Sequence, residues 1–221
     1  MKKILSFCLI KISSWYRFLA TPFWLAYYRF YFRNSYQVNL LKIDSSEIPA
    51  SFLFKAVSLA GEENYIFKKQ NFFNSWYDYL FIGYRQLSDQ DLFQTLSKLK
   101  SDKVIAEHLP QIKLVKNKIF FEYLDSRSYY RLDNFFSADK FNQAQLSDIK
   151  QKLENLIMAV NQVGYIHGDI KAKNIYLNQK TGRIILIDWD GLRVLKPKEK
   201  DLDKQKLEQI FINLFQAQNK K

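Results

Sequence analysis

The feature that most constrains the fold of this chain is a long amphipathic helix, followed directly by a polar loop and a short hairpin. Residues 146 to 164 predict a helix that Gly164 ends. Its apolar face is formed by Leu146, Ile149, Leu153, Leu156, Ile157 and Val160. The loop HGDIKAKN follows at residues 167 to 174, and NIYL, NQKTG and RIILID then predict two paired strands joined by a tight turn.

Three polar residues sit at fixed places in this segment. Asp169 lies in the loop, Asn174 follows five positions later, and Asp188 ends the second strand. A phosphoryl-transfer loop needs a carboxylate to accept a hydroxyl proton and, at a fixed distance, an amide oxygen that can ligate Mg²⁺. Because the two strands are neighbours, we expect the side chains of Asn174 and Asp188 to converge on one ion. The alternative is a hydrogen-bonded turn with a strand-end cap.

The motif HGDIKAKNIYL followed by LIDWDG resembles the catalytic and metal-binding loops of the protein-kinase-like superfamily. The HGD form with IDxD is similar to small-molecule and lipopolysaccharide-core kinases, such as the Kdo and heptose kinases. The resemblance is specific over residues 144 to 191 and schematic before them. It implies an α+β, two-lobed protein-kinase-like fold with a short C-terminal lobe.

The resemblance also implies residue roles. Asp169 would orient the substrate hydroxyl and accept its proton, and Lys171 would neutralise charge on the transferred phosphoryl group. Asn174 and Asp188 would hold Mg²⁺ against the phosphates of ATP, while His167 would brace the loop rather than act as a base. Whether ATP or GTP is the donor stays open.

Farther upstream the resemblance places the nucleotide site. YIFK looks like the third-strand motif that carries the phosphate-binding lysine, which selects Lys68, or Lys69 if the strand register is shifted by one. The alternative for Lys68 is a solvated strand lysine. FEYLDS resembles the connector between lobes, where backbone groups from Glu122 to Leu124 would meet adenine.

Several features depart from the kinase pattern. The helix acid that should pair with the lysine is Asp91 or, less well placed, Glu107. DSSEIPAS stands where a glycine-rich phosphate loop would be and contains no glycine. Gly168 stands where protein kinases have an arginine. Only 30 residues follow Gly191, and this short segment favours a small or lipid-linked acceptor over a peptide. A degenerate pseudokinase is therefore an alternative.

The N-terminal segment is basic and aromatic. Residues 1 to 43 contain seven Lys and Arg and no acidic residue, interleaved with Trp, Tyr and Phe. This composition is typical of an amphipathic helical segment in a membrane interface, although the aromatics could instead pack on the protein body. No charge-free window of about 18 residues predicts a transmembrane helix. The formal charge of +12 permits nucleic-acid binding, but no reading motif supports it.

Together these features predict three regions: a membrane-interface segment over 1–36, an N-lobe of antiparallel sheet plus helix over 37–124, and a C-lobe over 125–221. In the N-lobe, residues 37–43, 52–58 and 65–69 predict three successive antiparallel strands, and residues 116–124 predict a further strand. Ser88, followed by Asp89 and Asp91, predicts the start of a helix between the third strand and the further strand. In the C-lobe, residues 198–215 predict a charged amphipathic tail helix.

The predicted function is an ATP- and Mg²⁺-dependent kinase that phosphorylates a sugar hydroxyl of a lipid-linked glycoconjugate such as lipopolysaccharide core. It would be peripheral on the inner face of the cytoplasmic membrane, with an anionic lipid surface as partner. The alternatives are a kinase acting on protein Ser/Thr or a soluble small molecule, and a non-catalytic membrane-bound pseudokinase.

Overall fold

A computed structural model describes residues 19–40, 51–60, 63–70, 87–137 and 142–219. The helices in these ranges are α1 (19–32), α2 (Asp89–Leu99), α3 (Lys103–His108), α4 (Gln143–Gln162) and α5 (Leu202–Asn219). The strands are β1 (Tyr36–Leu40), β2 (Ser51–Ser58), β3 (Asn64–Gln70), β4 (Ile112–Val115), β5 (Lys118–Glu122), β6 (Tyr129–Arg131), β7 (Tyr165–Ile166), β8 (Ile175–Asn178), β9 (Ile184–Leu186) and β10 (Arg193–Val194). Short 3₁₀ turns cover Leu132–Ser137, Ala172–Asn174, Trp189–Gly191 and Pro197–Glu199. The predicted mixture of antiparallel sheet and helices is confirmed.

Residue contacts divide the chain into two compact units. The first contains Met1–Arg85 and Ile112–Tyr123, and the second contains Gln86–Gln111 and Leu124–Lys221. The helix α2 therefore belongs to the second unit, whereas the sequence placed it with the sheet of an N-lobe. Its start agrees with the prediction, because the Ser88 side chain accepts a hydrogen bond from the Asp91 N–H.

The first unit is built on a five-stranded antiparallel sheet in the order β1-β2-β3-β5-β4. The three strands predicted from residues 37 to 69 form its first half. The fourth strand was not predicted separately, because the turn at Lys116 and Asn117 has no glycine to mark it. Both residues adopt positive φ, at 46° and 63°. Such backbone angles usually select glycine in a hairpin.

Alternating apolar side chains on one face of this sheet form the core of the first unit. Phe54 and Phe67 are register partners on β2 and β3, and Phe120 on β5 stacks on Phe67 with ring centroids 4.9 Å apart. Tyr28 and Phe32 of α1 complete this aromatic core and are 2% and 1% exposed. Part of the basic aromatic segment is therefore core, as one of the two sequence interpretations held.

The opposite face of α1 carries apolar side chains that the sheet does not cover. Leu19, Phe23, Tyr27 and Phe30 are 68%, 62%, 42% and 66% exposed. They recur at intervals of four, four and three residues, which places them on one side of the helix.

The second unit is organised around α4. Asn142 and Gln145 form a reciprocal capping box at its start, and Gly164 follows its end with a φ of 84°. The six predicted apolar-face residues are all buried, and Ala159 is buried with them. Both termini of this helix thus lie within a few residues of the predicted positions.

A small sheet in the order β6-β8-β9 carries the predicted hairpin of the second unit. The helix α3, which the sequence did not predict, is tied to β9. His108 Nδ1 donates to the Ile184 carbonyl at 2.9 Å, and the Arg183 guanidinium donates to the carbonyls of Glu107 and Leu109 at 2.9 and 2.8 Å. Glu107 is therefore helical, a few residues before β4.

Among the described residues, none of the helices combines the length and apolar character needed to cross a membrane.

The two faces of α1 predict opposite effects of one substitution. Phe32→Ala should lower the free energy of unfolding by about 3 to 5 kcal/mol, because it removes a fully buried ring. Phe30→Ala is the matched control: the ring is 66% exposed, so stability should change by less than about 0.5 kcal/mol. Urea unfolding followed by circular dichroism measures both. Equal losses in the two variants would contradict the assignment of the helix faces.

Candidate active site

The polar loop brings three predicted residues into direct contact. The Lys171 Nζ lies 2.7 Å from Oδ1 and 3.0 Å from Oδ2 of Asp169. The Asn174 Nδ2 donates to the Asp169 carbonyl at 3.0 Å and, more weakly, to its Oδ2 at 3.4 Å. A carboxylate, an ammonium and an amide therefore share one small site in the second unit.

Asn174 is positioned by a 3₁₀ turn just before β8. It is 3% exposed, and its amide nitrogen faces Asp169. The Oδ1 oxygen is then the atom of Asn174 that could ligate a cation. The Asn174 carbonyl accepts a hydrogen bond from the Ile187 N–H at 2.9 Å, which fixes the segment that carries Asp188 beside this turn.

Asp188 adopts a left-handed backbone conformation, with φ 65° and ψ 50°. Aspartate tolerates this region better than most residues, and non-glycine residues held there often belong to functional sites. The Asp188 carboxylate and the Asn174 amide offer oxygen ligands, which Mg²⁺ prefers because it is a hard cation. Two protein ligands would leave further coordination positions for phosphate and water. In the described ranges no group of three or more His, Cys, Asp or Glu side chains forms a metal site.

His167 is a structural brace. It is 2% exposed and lies edge-on to the buried Trp189, with ring centroids 4.5 Å apart. Its Nδ1 accepts from the Asp169 N–H at 3.2 Å, so Nε2 carries the proton and donates to the Ile187 carbonyl at 3.2 Å. Burial lowers the pKa of His167, and the ring is therefore neutral and fully engaged.

Asp203, at the start of α5, anchors the loop and was missed by sequence reasoning. It is 1% exposed. Its carboxylate accepts the backbone N–H of His167 at 2.9 Å and the N–H of Gly168 at 3.1 and 3.2 Å. Lys206, one turn later on the same helix, donates to the Gly168 carbonyl at 2.8 Å. The only available signal was an aspartate and a lysine three residues apart near the predicted start of the tail helix.

Gly168 and Gly191 let two loops approach closely. A Cβ at Gly191 would lie 2.7 Å from the His167 carbonyl, and one at Gly168 would lie 2.7 Å from the Gly191 carbonyl and collide with the Arg193 guanidinium. Gly168 also has a φ of 80°. An arginine in place of Gly168, as in protein kinases, would not fit this arrangement.

Arg193 occupies the space beside Gly168. Its Nη1 donates to the Gly191 carbonyl at 3.0 Å, while Nη2 forms an ion pair with Glu199 at 2.8 Å. The hydrogen bond from Arg193 lowers the pKa of the Glu199 carboxyl. The segment after Gly191 is thus tied back onto the IDWDG loop.

The residues predicted to bind the nucleotide lie in or beside the first unit. Lys68 is half-buried on β3, opposite Leu53 of β2. Glu122 ends β5, and the division between the two units falls between Tyr123 and Leu124, inside the predicted connector. One backbone group of this connector is already paired with β3, since the Tyr123 N–H donates to the Asn64 carbonyl at 3.0 Å.

Two further predictions for the nucleotide site concern the acid that would pair with the lysine and the segment in place of the phosphate loop. The Asp91 carboxylate accepts from the Ser88 hydroxyl at 2.6 Å within its own helix cap. The glycine-free segment DSSEIPAS lies, except for Ser51, outside the described residues. The pairing of Lys68 with an acid and the roles of Lys68, Glu122 and Leu124 stay predictions.

Comparison with curated proteins shows a similarity to a subunit of a larger complex. The chain is 26% identical over 136 residues to the EKC/KEOPS complex subunit bud32 of Dictyostelium discoideum, covering 58% of this chain and 53% of the relative. It thus spans about half the length of the curated relative it matches. Among solved structures, it is similar to the Cydia pomonella granulovirus kinase PK-1, with a TM-score of 0.47 and 14% identity over 72% of this chain and 55% of that one. No family model matches.

The similarity to the bud32 subunit supports the coarse part of the sequence interpretation, a kinase-like fold. The finer resemblance to lipopolysaccharide-core kinases is not shown by the comparisons.

The two buried histidines predict an acid-sensitive fold. Burial lowers the pKa of both His108 and His167 from 6.5, so the unfolded chain binds protons at a pH where the folded chain does not. The contribution of the two histidines to the free energy of unfolding should therefore be complete above pH 6.5. It should fall as the pH drops below that value, by up to about 1.4 kcal/mol per pH unit for each histidine. His108→Gln should roughly halve the slope of the free energy of unfolding against pH, as measured by urea unfolding between about pH 7.5 and about pH 5.5. A slope unchanged by the substitution would contradict this origin.

The anchoring role of Asp203 predicts a specific loss. Asp203→Ala leaves the N–H groups of His167 and Gly168 without their acceptor and should cost on the order of 3 kcal/mol. Hydrogen exchange at residues 167–169 should accelerate more than exchange in β8. Asp148→Ala, which changes an exposed aspartate of α4, is the matched control and should alter neither quantity. Equal exchange at 167–169 in both variants would show that Asp203 does not hold the loop.

Proposed function

We propose that this protein is an ATP- and Mg²⁺-dependent phosphotransferase that acts on a hydroxyl acceptor. The observation that carries the proposal is the contact of the Asp169 carboxylate with Lys171 and Asn174, next to the segment that bears Asp188. Order, spacing and contact of these residues fit the needs of phosphoryl transfer, in which positioning and charge neutralisation supply most of the rate. The kinase-like relative supports a phosphotransferase in general terms.

Asp169 is the proposed base. Its carboxylate would accept a hydrogen bond from the acceptor hydroxyl, hold the oxygen in line with the phosphoryl group, and take the proton as the new bond forms. Lys171, which forms an ion pair with this carboxylate, would offset negative charge on the transferred group. His167 does not compete for this role, because both of its ring nitrogens are occupied.

Asn174 and Asp188 are the proposed Mg²⁺ ligands. A bound Mg²⁺ would neutralise charge on the nucleotide phosphates. The chain holds these two donors on adjoining segments, through the hydrogen bond from the Ile187 N–H to the Asn174 carbonyl. Lys68, or Lys69 in a shifted register, is the proposed contact to the nucleotide phosphates, and backbone groups of Glu122 and Leu124 the contact to adenine.

The acceptor that we favour is a sugar hydroxyl in a lipid-linked glycoconjugate such as lipopolysaccharide core. The HGD and IDxD motifs and the short segment between Gly191 and α5 support a small or lipid-linked acceptor. A protein Ser/Thr acceptor is an equally plausible alternative. A non-catalytic pseudokinase is the third possibility, because no glycine-rich phosphate loop stands in the sequence.

A lipid-linked acceptor also implies a location. We place the enzyme peripherally on the inner face of the cytoplasmic membrane, where ATP and such an acceptor meet. The basic aromatic composition of residues 1–36 supports this location. Nucleic acid is not a proposed partner.

The proposal predicts loss of turnover in defined variants. Purified protein in detergent should transfer phosphate from ATP in the presence of Mg²⁺, and Asp169→Ala should lower the rate by roughly 10² to 10⁴-fold, the usual contribution of a positioned base. Asp188→Ala should abolish the Mg²⁺ dependence together with the activity. Asp148→Ala, an exposed aspartate of α4, is the control and should retain full activity.

The acceptor arms of the same experiment separate the candidate functions. Crude lipopolysaccharide, a soluble sugar and an unstructured protein substrate are offered in parallel with labelled ATP. Incorporation into lipopolysaccharide alone supports the favoured acceptor, and incorporation into protein alone replaces it with the protein-kinase alternative. A folded protein that binds ATP without transfer to any acceptor would overturn the enzyme in favour of the pseudokinase.

A further inference from the structure

We infer that the exposed stripe of α1, formed by Leu19, Phe23, Tyr27 and Phe30, is a docking surface for an anionic lipid bilayer. The inference rests on the proposed membrane location and names the side chains that would make the contact. It does not depend on catalysis, because the stripe belongs to the first unit and Asp169 and its partners belong to the second.

The stripe is too apolar for an ordinary solvent-facing helix surface. Exposed faces of helices in soluble proteins are usually charged or polar, whereas four large apolar side chains follow one another here at 42% to 68% exposure. Pro22 and Ala26, also exposed, lie between them and add no polar group. A contiguous apolar face of this kind marks a contact surface more often than a random part of the exterior.

The stripe is held rigidly by the other side of the helix. Tyr28 and Phe32 are locked in the aromatic core, and Tyr27 stacks on Tyr31 with ring centroids 5.5 Å apart. Phe23 packs edge-on against Trp24 at 5.2 Å. Docking would therefore require no refolding of the helix, and little side-chain order would have to be gained on binding.

Cations flank the stripe at the C-terminal end of the helix. Arg33 lies over the ring of Phe30 at 4.3 Å, and Lys116 donates to the Tyr31 carbonyl at 2.8 Å. Arg29 and Arg33 are exposed, as is Lys116. Residues 1 to 43 contain no acidic side chain that could neutralise them. Aromatic side chains beside Lys and Arg suit the headgroup region of a bilayer with anionic lipids.

The same charges argue against a second copy of this chain as the occupant. A symmetric dimer through the stripe would bring the cations of both copies, Arg29 and Arg33 among them, into one interface with no acidic group from this segment to pair with. An anionic lipid surface supplies the missing negative charge, and its acyl chains accept the aromatic rings. The geometry is that of a helix lying along the interface with one face inserted.

Vesicle sedimentation of the full chain tests the inference. Vesicles of phosphatidylcholine alone and of phosphatidylcholine mixed with phosphatidylglycerol are compared. The wild type should sediment with the mixed vesicles and should bind them more weakly as salt is raised. The double variant Phe23→Ser with Phe30→Ser should bind about tenfold more weakly or worse, because two rings lose their insertion.

A matched control tests whether any exposed apolar pair has this effect. Met158→Ser with Ile212→Ser removes side chains that are 51% and 48% exposed in the second unit, and it should bind vesicles like the wild type. Arg33→Glu should weaken binding to mixed vesicles and leave any weak binding to phosphatidylcholine unchanged. Circular dichroism and the urea midpoint confirm that each variant is folded.

Four results would overturn the inference. The first is that folded wild type does not bind mixed vesicles, and the second is that it binds both vesicle types equally. The third is that the stripe variant binds mixed vesicles as well as the wild type does. The fourth is that the wild type forms a dimer instead of binding vesicles, and that the stripe variant does not form this dimer. The last result would assign the stripe to a second copy. ATP turnover is not part of this readout, so failure of the proposed kinase activity would leave it intact.

Discussion

The hydrogen bonds from the backbone of His167 and Gly168 to the Asp203 carboxylate are the interaction on which the candidate site depends. They join the loop after β7 to the first turn of α5, 36 and 35 residues later in the chain. With the backbone at Gly168 held by Asp203 and Lys206, the direction of the next side chain, Asp169, is set by the fold. The Asp169 carboxylate then contacts Lys171 and Asn174, which lie close to it in the chain.

A second constraint is the close approach of the two loops through Gly168 and Gly191. With no side chain at either position, the His167 carbonyl lies against the backbone of the IDWDG segment, and Arg193 takes the adjoining space. The ion pair between Arg193 and Glu199 then fastens the following segment to the same point. The site is thus held by buried hydrogen bonds to backbone groups, which are costly to break because each would leave an unsatisfied polar atom.

Sequence reasoning succeeded where the information was local. The periodic apolar face of α4, the caps at Ser88 and Gly164, and the hairpin from β8 to β9 all follow from residues close together in the chain. The contact between Asp169 and Asn174 was foreseeable for the same reason, since five residues separate them. Asp203, Arg193 and the hydrogen bond from His108 to Ile184 were not foreseeable, because each acts through a tertiary contact. The turn at Lys116 and Asn117 was missed because neither residue is a glycine.

The helix α1 shows why composition alone left two interpretations open. An aromatic segment at helical spacing is equally suited to a protein core and to a lipid surface, because both offer apolar surroundings to the rings. The sheet buries only the side that carries Tyr28 and Phe32, and a five-stranded sheet cannot cover the opposite side of the same helix. The two interpretations therefore apply to different faces: core packing explains the inner one, and the outer one needs an apolar surface from elsewhere. The cations around Phe30 favour one that is negatively charged.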